Sequence, residues 1–242
     1  MKLLTTLSLV FLAAAVFAQP RDTRYYELRV YYAAAGKLDA LITRFNDHTT
    51  RIFEKHGMRN IGYWAPVSKE KNTLYYILSY PDKDSRKKSW DAFGADPEWK
   101  KVVDESQRNG KLVDSVKSVF MNGAGILPAI DGKSAGADRT FELRTYHCFP
   151  NRLPNLITRF KDHTVKIFED HSMENIAYFI SEQGDLVYML AFPSAEAAKK
   201  SWDDFRADPV WVKAKEASEK DGKIVEKVES VYMKPLSFSK IK

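Results

Sequence analysis

From Tyr25 to Tyr32 apolar and polar side chains alternate with the period of a strand. From Lys37 to His56 the apolar positions Leu38, Leu41, Ile42, Phe45, Ile52 and Phe53 recur with the spacing of an amphipathic helix. Two aromatic-rich stretches, Arg59 to Trp64 and Leu74 to Tyr80, read as strands joined by a turn from Ser68 to Asn72. The next helical pattern is broken at Asp96-Pro97, an N-cap followed by proline at the first helical position, where its missing N–H costs nothing. Asn109-Gly110 stops that helix, and Val116 to Met121 closes the unit as a last strand.

The same pattern then occurs again. Glu27-Leu28-Arg29 returns as Glu142-Leu143-Arg144, and Asp47-His48-Thr49 as Asp162-His163-Thr164, an offset of 115. After the second strand the offset becomes 112, carrying Ser89-Trp90-Asp91 onto Ser201-Trp202-Asp203 and Asp96-Pro97 onto Asp208-Pro209. The length change falls between Trp64 and Leu74, in a hairpin loop. A whole domain has been duplicated, with repeats over 23–122 and 139–235 and a patternless Gly- and Ala-rich linker over 123–138. Each repeat reads β-α-β-β-α-β, the split βαβ order of a ferredoxin-like α+β domain.

Three blocks resemble the NIPSNAP family: the strand Tyr26-Glu27-Leu28-Arg29-x-Tyr31, the helix Phe45-x-Asp47-His48-Thr49 ending Phe53-Glu54-x-His56, and Trp90-x-x-Phe93 with Asp96-Pro97-x-Trp99. The resemblance covers both repeats. It implies two ferredoxin-like sheets packed face to face in a dimeric-type α/β barrel, here a pseudo-two-fold barrel within one chain. It does not bring an agreed activity with it. Related barrels hold ligands between helices and sheet, and carry out monooxygenase, isomerase and haem-handling chemistry.

Strand side chains alternate faces, so Tyr26, Leu28 and Val30 share one and Glu27, Arg29 and Tyr31 the other. The apolar set is expected under the helices. The charged set, repeated as Glu142, Arg144 and Tyr146, is expected to face the sister sheet across the barrel interior. There it either binds a carboxylate and handles protons or forms an ion-pair layer that fixes how the repeats dock, the preferred reading of the two. Arg29, Tyr31, Arg144 and Tyr146 are accordingly ligand-binding candidates, with Trp64 as a ring for stacking in the helix–sheet cleft.

Four of the five histidines form repeat pairs, His48 with His163 and His56 with His171, and are the catalytic candidates. At about 100° per residue His56 falls in line with Leu38 at the centre of the apolar stripe, and His48 at its edge, so both are expected to look into the cleft. The blander alternatives are a helix-terminal His56 bonded to local carbonyls and an edge His48 paired with Asp47 or a neighbouring strand. Eight residues at 1.5 Å rise separate the two by roughly 12 Å, too far to share a metal, and no metal site is predicted. The four repeat-paired tryptophans, Trp90, Trp99, Trp202 and Trp211, read as core anchors. His147 replaces Tyr32, which points to one active cleft and not two.

Composition adds an address and several exclusions. Residues 1–18 read as a signal peptide, with Lys2 before an uncharged apolar run and cleavage near Ala18, so a secreted or periplasmic protein is expected. The run is shorter than the roughly 20 residues that cross a bilayer, so no membrane span is expected after cleavage. The net charge of +6 is spread in alternating sign, a solvated surface and not a nucleic-acid footprint. The lone Cys148 cannot form an internal disulfide. No cofactor is predicted, haem being a minor option raised only by related barrels, and the assembly expected is a monomer with an internal pseudo-dimer or a homodimer. Together these residues favour a small-molecule-binding protein with His-assisted proton transfer or oxygenase- or isomerase-type chemistry over a non-enzymatic envelope interaction protein.

Overall fold

Strand β1 (Tyr25–Ala33) is followed by helices α1 (Leu38–Arg44) and α2 (Thr50–Lys55), strands β2 (Arg59–Pro66) and β3 (Thr73–Tyr80), helices α3 (Lys83–Ala95) and α4 (Pro97–Ser106), and strand β4 (Val113–Gly123). The second repeat gives β5 (Thr140–Cys148), α5 (Leu153–Arg159), α6 (Val165–Asp170), β6 (Glu174–Ser181), β7 (Leu186–Phe192), α7 (Ala195–Ala207), α8 (Pro209–Ser218) and β8 (Val225–Pro235). The computed structural model describes residues 22–68, 72–130 and 139–242, so the expected signal peptide lies outside the described residues. Among them, eight antiparallel strands close into a barrel in the order β1-β3-β2-β8-β5-β7-β6-β4. Each repeat contributes a four-stranded ferredoxin-like sheet, and the sheets are joined where β2 meets β8 and β4 meets β6.

Both α1–α2 and α5–α6 contain a π-helical turn, Phe45–Thr49 and Phe160–Thr164. The hydroxyl of Thr49 donates to the carbonyl of Arg44 at 3.1 Å, and Thr164 does the same to Arg159. A side chain thus satisfies a carbonyl that the wider turn displaces from the regular ladder. The turn also shifts the angular phase of everything after it. A wheel drawn at a constant 100° therefore misplaces His56.

The faces of β1 and β5 are the reverse of the expected ones. Tyr26, Leu28, Phe141 and Leu143 fill the barrel interior with Ile61, Trp64, Ile77, Met121, Phe179, Met189 and Met233, drawn from both repeats. Glu27, Arg29 and Tyr31, with Glu142, Arg144 and Tyr146, instead lie under the helices. Glu27 and Glu142 are each about 1% exposed or less. On the helix side α3 and α7 bring Trp90 and Trp202 to within hydrogen-bond distance of these carboxylates. The ion-pair layer thus ties strand to helix and does not set the docking of the repeats.

Trp64 is also displaced from its expected place. It is fully buried in the barrel interior, 5.8 Å from the Phe141 ring, and does not line a helix–sheet cleft. Alternation puts Tyr63 under the helices and Trp64 inside, where its ring folds over Gly62 so closely that a Cβ there would stand 2.2 Å from it. The second repeat has Ala177 and Phe179 at these positions, a smaller ring over a larger neighbour.

The segments after β4 and β8 cross to the other repeat. The N–H of Ala124 donates to the carbonyl of Tyr178, and that of Leu236 to the carbonyl of Tyr63, equivalent bonds under the pseudo-symmetry. Ile130 and Ile241 then pack into the barrel core, and Arg24 and Arg139 hold the carbonyls of Ile130 and Lys242.

Candidate functional site

Between the second sheet and its helices lies a cavity of about 410 Å³. Arg144 and Tyr146 reach it from β5, Arg159 from the end of α5, and Trp202, Phe205 and Trp211 from α7 and α8. Each position follows from local sequence. The alternation of β5 puts Arg144 and Tyr146 on one face, and Arg159 sits within the buried stripe between Leu156 and Phe160. The break at Asp208-Pro209 turns α8 back so that Trp211 packs 4.5 Å from Phe205.

Both guanidiniums lie over indole rings, Arg144 at 4.2 Å from the centre of Trp202 and Arg159 at 5.2 Å from that of Trp211. Stacking uses the faces of an arginine and leaves its edge N–H groups for in-plane acceptors. Arg144 donates to Glu142 at 2.5 Å, and Arg159 to Glu219 at 3.1 Å and Ser218 at 3.2 Å. The Nε–H of each is buried and meets no acceptor among the described residues. Burial opposes the charge on Arg144, but the neighbouring Tyr188, Tyr146 and Glu142 outweigh it and its pKa rises. It remains a cation at any working pH. In the first repeat the Nε–H groups of Arg29 and Arg44 are likewise buried without an acceptor among the described residues.

The first repeat has a related cleft in which Arg29 stacks on Trp90 at 4.3 Å and Arg44 on Trp99 at 5.3 Å. Its carboxylate is held differently. Glu27 accepts from Arg29, from both Nε and an Nη of Arg86, from Trp90 and from Tyr80. In the second repeat Ala198 and Phe192 replace Arg86 and Tyr80, and Glu142 instead takes Trp202 and Ser230, each at 2.6 Å. The rims differ too: Arg206, Lys215 and Glu219 stand where the first repeat has Gly94, Val103 and Gln107. Among the described residues Arg44 has no carboxylate partner, and burial lowers its pKa.

The histidines are placed outside these clefts. His48 and His163 are exposed and line shallow outer grooves against α4 and α8. Asp47 bonds Asn46 there, at 2.7 Å. His56 and His171 end their helices, as one alternative held, but their Nε2 atoms meet Asp96 and Asp208, at 2.6 and 2.7 Å, and not local carbonyls. Those aspartates also cap α4 and α8. Hydrogen bonds from Lys55 and His56 hold the Asp96 carboxyl well below the usual carboxylate range. Replacing His56 by alanine is expected to cost about 0.5–1.5 kcal/mol and to lower Tm by a few degrees in calorimetry. His48→Ala, by contrast, is expected to leave Tm unchanged, within about 0.5 kcal/mol.

Sequence reasoning thus named Arg144 and Tyr146 for the cavity and Arg29 and Tyr31 for its counterpart, but on an inverted face. It missed Arg159 and Glu219, and read Trp202 and Trp211 as anchors only. The available signal was an arginine inside an apolar helical stripe, repeated as Arg44. Burial pushes the half-buried Cys148 thiol up to about 11, which leaves it a poor nucleophile.

The NIPSNAP family model matches residues 26–128 and 141–240. No curated protein matches the chain. Among solved structures, a candidate monooxygenase from Fusobacterium nucleatum aligns over 89% of this chain and 94% of its own, at 12% identity and a TM-score of 0.59. A candidate monooxygenase from Lactobacillus acidophilus aligns over 88% and 93%, at 11% identity and 0.56. An anthrone oxidase-like protein aligns over 89% and 92%, at 10% identity and 0.55. These likenesses establish the two-repeat barrel fold. A NIPSNAP family protein of unknown function from Agrobacterium tumefaciens is 26% identical over 46% of this chain and 99% of its own, with a TM-score of 0.39.

Proposed function

We propose, from the premise that this chain belongs to the NIPSNAP family, that its second repeat binds a small flat anion in the helix–sheet cleft. The ligand class is an aromatic molecule carrying a carboxylate or an ionisable hydroxyl. One observation carries the reading: two arginines, each over a tryptophan ring, border one cavity with aromatic walls and a mostly cationic rim. Its volume of about 410 Å³ falls within the ~300–1,000 Å³ of ordinary ligand pockets. Phe205 and the indole rings supply apolar walls, while Arg206, Lys215 and Lys223 at the rim add attraction for a negative group.

The same geometry suits chemistry on an ionised ring. A guanidinium beside a phenol or enol favours its deprotonated form, the electron-rich form of such a ligand. The neighbours described as a candidate monooxygenase and as anthrone oxidase-like make oxidation of that anion, with dioxygen as the electron acceptor, the reaction class we favour, by analogy of fold. Proton transfer by His48, His56, His163 or His171 has no support, since none of them lines this cavity.

Isothermal titration with 2-naphthoate tests the binding. The expected result is one saturable site per chain, quenching of tryptophan fluorescence, and at least about tenfold weaker binding of neutral 2-naphthylmethanol, the loss of one charge-assisted interaction. Equal binding of the neutral compound, or none of either, would contradict the reading and favour an interaction protein.

A further inference from the structure

Strand β8 pairs with β5 from Val225 to Met233, but meets β2 only at Met233, Lys234 and Pro235. The stretch from Lys227 to Val231 therefore runs past the end of β2, and among the described residues no other strand covers that side. The Val67 N–H donates to the Tyr232 carbonyl, and the Leu236 N–H to that of Tyr63, which fixes the residues that face β2. Alternate residues of an antiparallel ladder turn both backbone groups the same way, so Val228 and Ser230 present theirs to the free edge. Lys227, Val228 and Ser230 are all exposed, Val228 at 44%.

Such an edge is a template for another strand, and a lone lysine on it usually keeps copies apart. Here the lysine has an opposite charge in reach. Two copies related by a two-fold axis would pair antiparallel, with free-edge residues facing free-edge residues. Three registers keep that pairing within the free stretch. Centring on Lys227 opposes two lysines, and centring on Glu229 opposes two glutamates, both unfavourable. Centring on Val228 opposes Lys227 to Glu229 twice. Those pairs fall at the non-hydrogen-bonded positions, where facing side chains come closest, while Val228 exchanges both backbone bonds with its copy. Lys227 already bonds Glu229 along its own strand at 2.5 Å. An ammonium has three donors and a carboxylate two oxygens, so the pairs across the seam add to that bond and do not replace it. Strand β4 has a similar free edge, since it meets β6 only at Met121, Asn122 and Gly123. Its equivalent residues are Ser115, Val116 and Lys117, so the same register there opposes lysine to serine. Pairing β4 with β8 in equivalent register would oppose Lys117 to Lys227.

We propose that the chain forms a two-fold homodimer through β8, its edges paired antiparallel about Val228, so that the sheets of the two second repeats become one. The partner is a second copy because the register that opposes unlike charges is the self-paired one. Val228 also lines the helix–sheet cleft, so the seam runs along one side of each cleft. The pairing does not depend on what that cleft binds. Its free stretch is short, so association is weak, with a Kd on the order of 100 μM.

The test is sedimentation equilibrium of the full chain at low salt, where charge pairs are least screened. A reversible monomer–dimer equilibrium is expected. Lys227→Glu sets like charges across the seam and should weaken the dimer at least about tenfold. Combining Lys227→Glu with Glu229→Lys reverses every pair and should restore the dimer to within about threefold of the original. Val116→Asp, on the β4 edge, should leave it unchanged. Hydrogen exchange gives a second readout, in which the Val228 amide slows as concentration rises and the Val116 amide does not. A monomer at every concentration up to about 1 mM would overturn the proposal. So would a dimer that survives Lys227→Glu, one that the double variant fails to restore, one lost in Val116→Asp, or Val228 exchange that ignores concentration.

Discussion

Replacing Glu27 by alanine is expected to destabilise the fold by about 3–5 kcal/mol, because it strands the donors gathered around one buried carboxylate. Arg29, Arg86, Trp90 and Tyr80 all direct hydrogen bonds to it from β1, α3 and β3. The two arginines would keep their charge with nothing to balance it in a largely dehydrated layer. Urea unfolding measures the loss as a lower midpoint with an unchanged slope. A change below about 1 kcal/mol would mean that the network is solvated and dispensable. The same carboxylate sets an acid limit. Burial raises its pKa, but the hydrogen bonds and charges of Arg86 and Arg29 more than offset this, so the folded value lies below the ordinary 4.5. Its contribution is therefore complete above that pH and is lost as pH falls through the folded value. In Glu27→Gln this part of the acid sensitivity should vanish.

Arg144→Met is expected to weaken 2-naphthoate roughly ten- to hundredfold, the range for losing a charge-assisted hydrogen bond in a buried site. Methionine keeps most of the packing against Trp202, and Glu142 retains its bonds from Trp202 and Ser230 but loses its cation, so the variant is expected to be less stable and its affinity is measured below its unfolding transition. Arg29→Met, in the other cleft, should leave that affinity unchanged. The contrast assigns binding to the second repeat, because the two clefts share their stacked arginines but differ in rim charge and in how their glutamates are held. Equal losses in both variants would instead mean two working sites, and no loss in Arg144→Met would remove Arg144 from the site.

Much of the architecture was legible because it is local and stated twice. The Asp-Pro breaks, the amphipathic helices and the alternating strands recur at fixed offsets, while the barrel that pairs the two units was implied only by the resemblance to the NIPSNAP family. What misled was the choice between the two buried faces of β1. Alternation separates Glu27, Arg29 and Tyr31 from Tyr26, Leu28 and Val30, but does not say which set lies inside. Assigning the apolar set to the helices ignored Trp90 and Arg86, which bring donors to Glu27 from α3, far along the chain. The π turns had a similar effect. Nothing in Phe45-Asn46-Asp47-His48-Thr49 announces a wider turn by periodicity, so the phase of His56 was carried forward wrongly. Arg159 was legible in principle, as a cation placed in an apolar stripe, but its meaning depends on Trp211, which reaches it only through tertiary packing.

The central claim is that the cleft of the second repeat holds an aromatic anion between two stacked arginines. A crystal structure with 2-naphthoate tests it most directly. The account predicts the ring against Trp202 and Trp211 and the carboxylate within hydrogen-bond distance of the Arg144 or Arg159 guanidinium. An empty cleft at saturating ligand, or naphthoate seated outside it, would contradict it.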